Sequence, residues 1–204
     1  RAKEMEIVVR KCADNTRRDE ALADPLQFME TYFADRFFMA HAQHHLEMIA
    51  AICYVAQYGG DQALSAPRGE GKTTTCTVVL IYAMLKGWVR FPVIVAQTSP
   101  HAERIFKDIK NQFENNELLA ADFPEICDPV RALEGAPQRG NTQKHNGEPT
   151  RIEWKAGHFV MPRIVVDGEV SKFAGVALTY FGLDSAIRGV IINGSRPDFV
   201  LIDD

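Results

Sequence analysis

One stretch constrains this chain more than any other: Ser65-Ala66-Pro67-Arg68-Gly69-Glu70-Gly71-Lys72-Thr73-Thr74. A short apolar run, Gln62-Ala63-Leu64, comes before it, and Cys76-Thr77-Val78-Val79-Leu80-Ile81-Tyr82-Ala83-Met84-Leu85 follows and reads as a buried helix. Strand, glycine-rich turn and helix in that order form a phosphate-binding P-loop. Gly69 and Gly71 let the backbone approach an anion, so that successive N–H groups and a helix N-terminus converge on it. Lys72 would reach the β- and γ-phosphates of ATP as a point charge, and the Thr73 hydroxyl would sit on Mg²⁺. Pro67, Arg68, Glu70 and Thr74 complete the nucleotide-binding segment. The usual pattern opens on glycine, whereas this one has Ala66. The competing reading is a chance glycine-rich turn, and the flanking strand and helix favour the nucleotide site.

Around that loop the sequence predicts an α/β fold. Phe91-Pro92-Val93-Ile94-Val95-Ala96-Gln97-Thr98 is a β-branched run suited to a buried parallel strand. Ser99-Pro100 then opens a helix with Ala102, Ile105, Phe106, Ile109 and Phe113 on one face. Alternating strands and helices of these periods predict a mostly parallel sheet with helices on both faces, a P-loop NTPase of the RecA-like (ASCE) kind. Thr150–Trp154 and His158–Pro162 alternate around Lys155-Ala156-Gly157 and read as an inserted β-hairpin, with a further strand over Val176–Phe181. Residues 1–40 read as an N-terminal helical extension, and 41–204 as the ATPase domain. Residues 115–149, interrupted by Phe123-Pro124 and Asp128-Pro129, read as a mobile surface insert.

The remaining candidates are weighed by chemistry. The helix beginning near His44 carries Leu46, Ile49, Ala50, Cys53 and Ala56 on one face. At its start, Gln43 could recognise adenine through an amide that donates and accepts at once, or be an ordinary polar first turn. His41, His44 and His45 have no carboxylate or cysteine at matching spacing, which argues against a metal site. Arg10, Lys11, Arg17 and Arg18 read as a solvated helical face, with a DNA or partner patch as the alternative. Four dispersed cysteines make no C-x-x-C pair and read as reduced thiols. A net charge of −4 argues against a passive polyanion coat. No stretch approaches the ~20 apolar residues that span a bilayer, and the N-terminus lacks a signal-peptide core, so the expectation is a cytosolic protein without a membrane partner. The stop just after an apolar run predicts a fragment.

The second half of a nucleotide site is Arg196-Pro197-Asp198-Phe199-Val200-Leu201-Ile202-Asp203-Asp204, an apolar strand running into two acids. Asp203 would hold the Mg²⁺ shell, in the strand beside the P-loop strand, and Asp204 would polarise the attacking water. Together with Ala66–Thr74, Val95-Ala96-Gln97-Thr98 and Ala186-Ile187-Arg188-Gly189, this segment resembles the ATPase domain of phage large terminase subunits, the motors that pump viral DNA into capsids. The resemblance covers His41 to the C-terminus. It implies ATP and Mg²⁺ as cofactors, and double-stranded viral DNA, the small terminase subunit, the portal protein and further copies of the chain as partners. The location implied is the host cytoplasm. Arg68 is implied to sense or couple. Arg188 is implied to reach a neighbour's ATP, with Arg196 second and a structural ion pair as the competing role. The family continues past the acidic pair with an RNase H-like nuclease domain that this sequence does not contain. A P-loop helicase or remodelling ATPase, and a prophage remnant that binds nucleotide or subunits without turnover, remain as alternatives.

Overall fold

The computed structural model describes residues 4–184 and 190–203, so Arg188 and Asp204 lie outside the described residues. The chain opens with strand β1 (Met5–Glu6) and helices α1 (Asn15–Ala23) and α2 (Pro25–Tyr32). Helices α3 (Gln43–Tyr58) and α4 (Lys72–Lys86) bracket the glycine-rich loop, and β2 (Pro92–Ala96) and α5 (Ser99–Asn115) follow. Next come α6 (Glu117–Asp122), α7 (Pro124–Arg131), a 3-10 turn over Pro137–Thr142, β3 (Gln143–His145) and β4 (Glu148–Pro149). The last elements are β5 (Glu153–Trp154), β6 (His158–Val160), β7 (Val165–Val166), β8 (Glu169–Val170), β9 (Ala177–Gly182) and β10 (Phe199–Asp203).

The main sheet has the order β10-β2-β9-β6-β5. β10, β2 and β9 run parallel, while β6 is antiparallel to β9 and β5 to β6. The sheet is therefore mixed rather than mostly parallel. The 150–162 hairpin, expected as an insertion, is its far edge, because β6 carries Phe159 and Val160 onto the two apolar faces that β9 also presents. β2 is buried along its whole length, as a central parallel strand requires. Asp198 fixes where β10 starts against it, accepting from the backbone N–H groups of Arg90 (2.7 Å) and Phe91 (2.9 Å).

Helices cover one face. On that side Ile94, Ala96, Leu178 and Phe199 join a core built by α1–α7. α4 lies at its centre, buried continuously from Thr75 to Leu85, the signature of a helix apolar all round. α5 packs on β2 and β9, and buries the predicted stripe Ala102, Ile105, Phe106, Ile109 and Phe113. The opposite face carries Phe91, Val93, Val95, Val160 and Ala177, packed with Phe181, Val190 and Ile192. Among the described residues no helix contributes to this second core, so the expected helices on both faces reduce to one layer.

Two further expectations are corrected. Residues 59–67 form no strand, and Gln62, Ala63 and Leu64 are exposed. The acidic strand β10 therefore has β2 as its neighbour instead of a P-loop strand, and among the described residues no strand pairs with its other edge. Three residues with one large apolar side chain bury too little to hold an unpaired strand in place. Residues 115–149 are not a mobile insert: Leu119, Ala120, Phe123, Ile126, Cys127 and Val130 are all buried in the main core. Pro124 opens α7 at its first turn, where its missing N–H costs nothing.

Of the N-terminal basic residues, Lys11 is exposed as expected, but the three arginines are held in ion pairs. Arg17 grips the buried Asp122 through Nε (2.7 Å) and Nη2 (2.6 Å), and the Tyr32 hydroxyl donates to the same carboxylate at 2.8 Å. Arg18 pairs with Glu125 and Arg10 with Asp128. These ion pairs fasten α1 and the segment before it onto α6 and α7. All four cysteines are free thiols, as expected. No helix of the described residues is long and apolar enough to cross a membrane.

Candidate functional site

The site forms where α4 begins and β10 ends. Gly71 stands at the N-cap of α4 with φ 70° and ψ 20°, and Gly69 has φ 88°, both left-handed conformations that favour glycine. No side chain caps the helix, so its first-turn N–H groups have no side-chain acceptor at the N-cap. Ala66, the departure from the usual opening glycine, is not among the residues with positive φ, so alanine costs no backbone strain there. Lys72 Nζ donates to the Ala66 carbonyl at 2.6 Å, back across the loop.

From this first turn Thr73 Oγ1 donates to Asp203, 2.9 Å from Oδ1 and 3.1 Å from Oδ2. Two residues 130 positions apart, singled out as metal ligands, thus meet. Thr73's own carbonyl accepts from the Thr77 hydroxyl at 2.6 Å, which steadies the turn. Asp203 is 9% exposed. A third group reaches it that the sequence did not single out: His101, on the first turn of α5, places Nε2 3.3 Å from Asp203 Oδ2. Open α/β sheets gather ligands beyond the C-terminal ends of their strands, and α5 starts at the end of β2, next to β10. The strand order brings His101 here, and no spacing in the sequence could announce it.

Beside this edge a cavity of about 500 Å³ opens between α3, the 60–65 segment, α4 and β10. Met48, Ile52, Leu64 and Cys76 line it with Lys72 and Asp203. Burial, with a smaller contribution from the Asp203 carboxylate, pushes the Cys76 thiol up to about 11. It is thus a neutral apolar wall at physiological pH.

α3 docks its N-terminus on the loop. His45 Nδ1 accepts from the Ala42 N–H at 3.1 Å, and Nε2 lies 2.8 Å from the Glu70 carbonyl oxygen. His44 Nε2 is 3.4 Å from Glu70 Oε2. The carboxylate that the histidines lacked in sequence is therefore supplied by the loop itself. Gln43 begins the same turn of α3, with its amide donating to Glu47 Oε1 at 3.1 Å and its side chain exposed. Pro67, Arg68, Gly69 and Glu70 are exposed, and Thr74 is half-buried. Arg196 is exposed ahead of β10, at the opposite end of that strand from Asp203, so the fold does not bring it to this site.

Comparison with protein-family models, with curated proteins and with solved structures finds no match.

Proposed function

We propose that this chain hydrolyses ATP with Mg²⁺ as the P-loop module of a DNA-packaging motor of the terminase kind. The observation that carries the nucleotide half is the Thr73–Asp203 pair, a helix-start hydroxyl and a strand-end carboxylate on one spot beside an uncapped helix N-terminus. That donor set fits a magnesium nucleotide: hard oxygen ligands for the cation, backbone amides and Lys72 for the phosphates. Mg²⁺ would neutralise charge shared between the β- and γ-phosphate oxygens. Thr73 and Asp203 would hold it, Lys72 would set a point charge on the transferring group, and Gly69 and Gly71 would let the backbone close in. Arg68 stands on the exposed rim of the loop, where it is free to follow the γ-phosphate. Gln43 is assigned to adenine, because its helix turn touches the loop through His45. Activation of water is assigned to Asp204, and the finger offered to a neighbouring copy to Arg188.

The motor half rests on the sequence resemblance. Double-stranded viral DNA, the small terminase subunit, the portal protein, self-assembly and residence in the host cytoplasm are proposed on that ground.

The test is phosphate release with and without Mg²⁺. Lys72→Ala and Asp203→Asn should each lower Mg²⁺-dependent turnover by about 100-fold or more, since each removes a charge aimed at the transition state. Asp203→Asn should still bind ATP in chelator. Turnover unchanged in Lys72→Ala would remove the phosphate-loop assignment.

A further inference from the structure

A glycine at a loop's turning point lets the backbone approach a ligand, but it also lets the adjoining peptide group flip. Gly71 is such a residue, with φ 70° at the N-cap of α4. The peptide between Glu70 and Gly71 could point its N–H to either side of the loop unless a neighbour fixes it. His45 is that neighbour. A backbone N–H only donates, so the Ala42 N–H bound at 3.1 Å requires a lone pair on His45 Nδ1. The ring proton therefore sits on Nε2, which donates to the Glu70 carbonyl at 2.8 Å. A trans peptide is planar, with its C=O and following N–H opposed. Holding the Glu70 oxygen toward α3 holds the Gly71 N–H away from it.

The geometry points to His45 as a positioning residue: it locks the Glu70–Gly71 peptide in the orientation that aims the Gly71 N–H at a bound phosphate. This inference rests on the phosphate-loop reading and adds to it a residue from a different helix. The same geometry decides against a metal ion here. His44, His45 and Glu70 bring ligand atoms within 4.8 Å of one another, but His45 Nε2 carries a proton and is already engaged. His45 thus serves the loop as a hydrogen-bond clasp.

The experiment is titration calorimetry of ATP, in Mg²⁺ and in chelator, on the full chain as wild type, Lys72→Ala, His45→Ala and His45→Gln. The Gly71 amide resonance is followed in parallel by ¹H–¹⁵N spectroscopy. His45→Ala should weaken ATP binding about five- to tenfold, the scale of one well-placed hydrogen bond. It should also shift the Gly71 amide before nucleotide is added, with little change in melting temperature. His45→Gln, whose amide nitrogen reaches about as far as Nε2, should recover affinity to within about twofold, because it keeps the donor. Should His45→Ala not fold, His45→Leu keeps bulk without a donor and must show the same loss. Wild-type affinity in a folded His45→Ala or His45→Leu protein, or no recovery in a folded His45→Gln, overturns the clasp. If wild type binds no better than Lys72→Ala, the phosphate-loop reading falls with it. Loss in Lys72→Ala alone removes only the clasp.

Discussion

At Gly182 a Cβ would lie 2.0 Å from Asp184 Oδ1, 2.2 Å from the Ser99 backbone nitrogen and 2.7 Å from Ser99 Oγ. Two of those atoms belong to the residue that opens α5, so a methyl group there must push β9 and α5 apart. Gly182→Ala should destabilise by ~1–3 kcal/mol, the usual cost of overpacking, and lower the melting temperature by roughly 2–10 °C. Scanning calorimetry against wild type measures it, and an unchanged midpoint would mean that the turn after β9 yields freely. The meeting of Thr73 with Asp203 was legible in the sequence, because a hydroxyl at the start of the helix after the glycine-rich turn and a carboxylate at the end of an apolar strand were read as partners. His101 and His45 were not, because each reaches the site through the packing of its helix. Gly182 was equally silent, since nothing in its neighbours announces the approach of Ser99.

The hairpin of β5 and β6 shows electrostatics at the level of an element. Glu153 accepts from Lys155 Nζ at 2.5 Å and lies 3.0 Å from His158 Nε2. Lys155 first, then His158, holds its carboxyl below the ordinary value of 4.5. A lowered carboxylate stabilises the fold fully above pH 4.5, and that contribution is lost as pH falls through the lowered value. Lys155 is well exposed, so solvent screening keeps the effect small. Melting curves from pH 7 to pH 3 should show wild type above Glu153→Gln at neutral pH and the gap closing in acid. A constant gap would mean that the glutamate acts by packing alone. Elements with a clean period were legible at this scale: α3, α5 and β2 lie close to where their apolar spacing put them. α6 and α7 were hidden because Phe123-Pro124 and Asp128-Pro129 read as breaks. The apolar spacing from Leu119 to Val130 runs straight across them: Pro124 is harmless at the first turn of α7, and Pro129 lies inside the helix, near its end. The arginines of the N-terminal segment were misread for another reason: Asp122, Glu125 and Asp128 lie about a hundred residues away, and only the fold brings charge to charge.

On the scale of the whole molecule, among the described residues helices clad one face of a mixed sheet and no strand pairs with the outer edge of β10. That edge was not legible in the sequence, because the apolar run ahead of the two acids is the same whether a neighbour covers it or not. Val200 is 52% exposed and Ile202 68%, with no proline, lysine or bulge in the strand to discourage pairing. Val200→Lys should therefore raise the concentration at which the chain remains monomeric, as read by sedimentation velocity. Equal self-association in both proteins would place the sticky surface elsewhere. β10 also walls the cavity beside Lys72 and carries Asp203 at its tip. Copies stacked strand on strand would thus stopper the mouth of the site, and the apparent specific activity would fall as the stock becomes more concentrated. A dilution series then becomes the first control for any rate measured on this chain by itself, because crowding at the bench would otherwise pass for a weak catalyst.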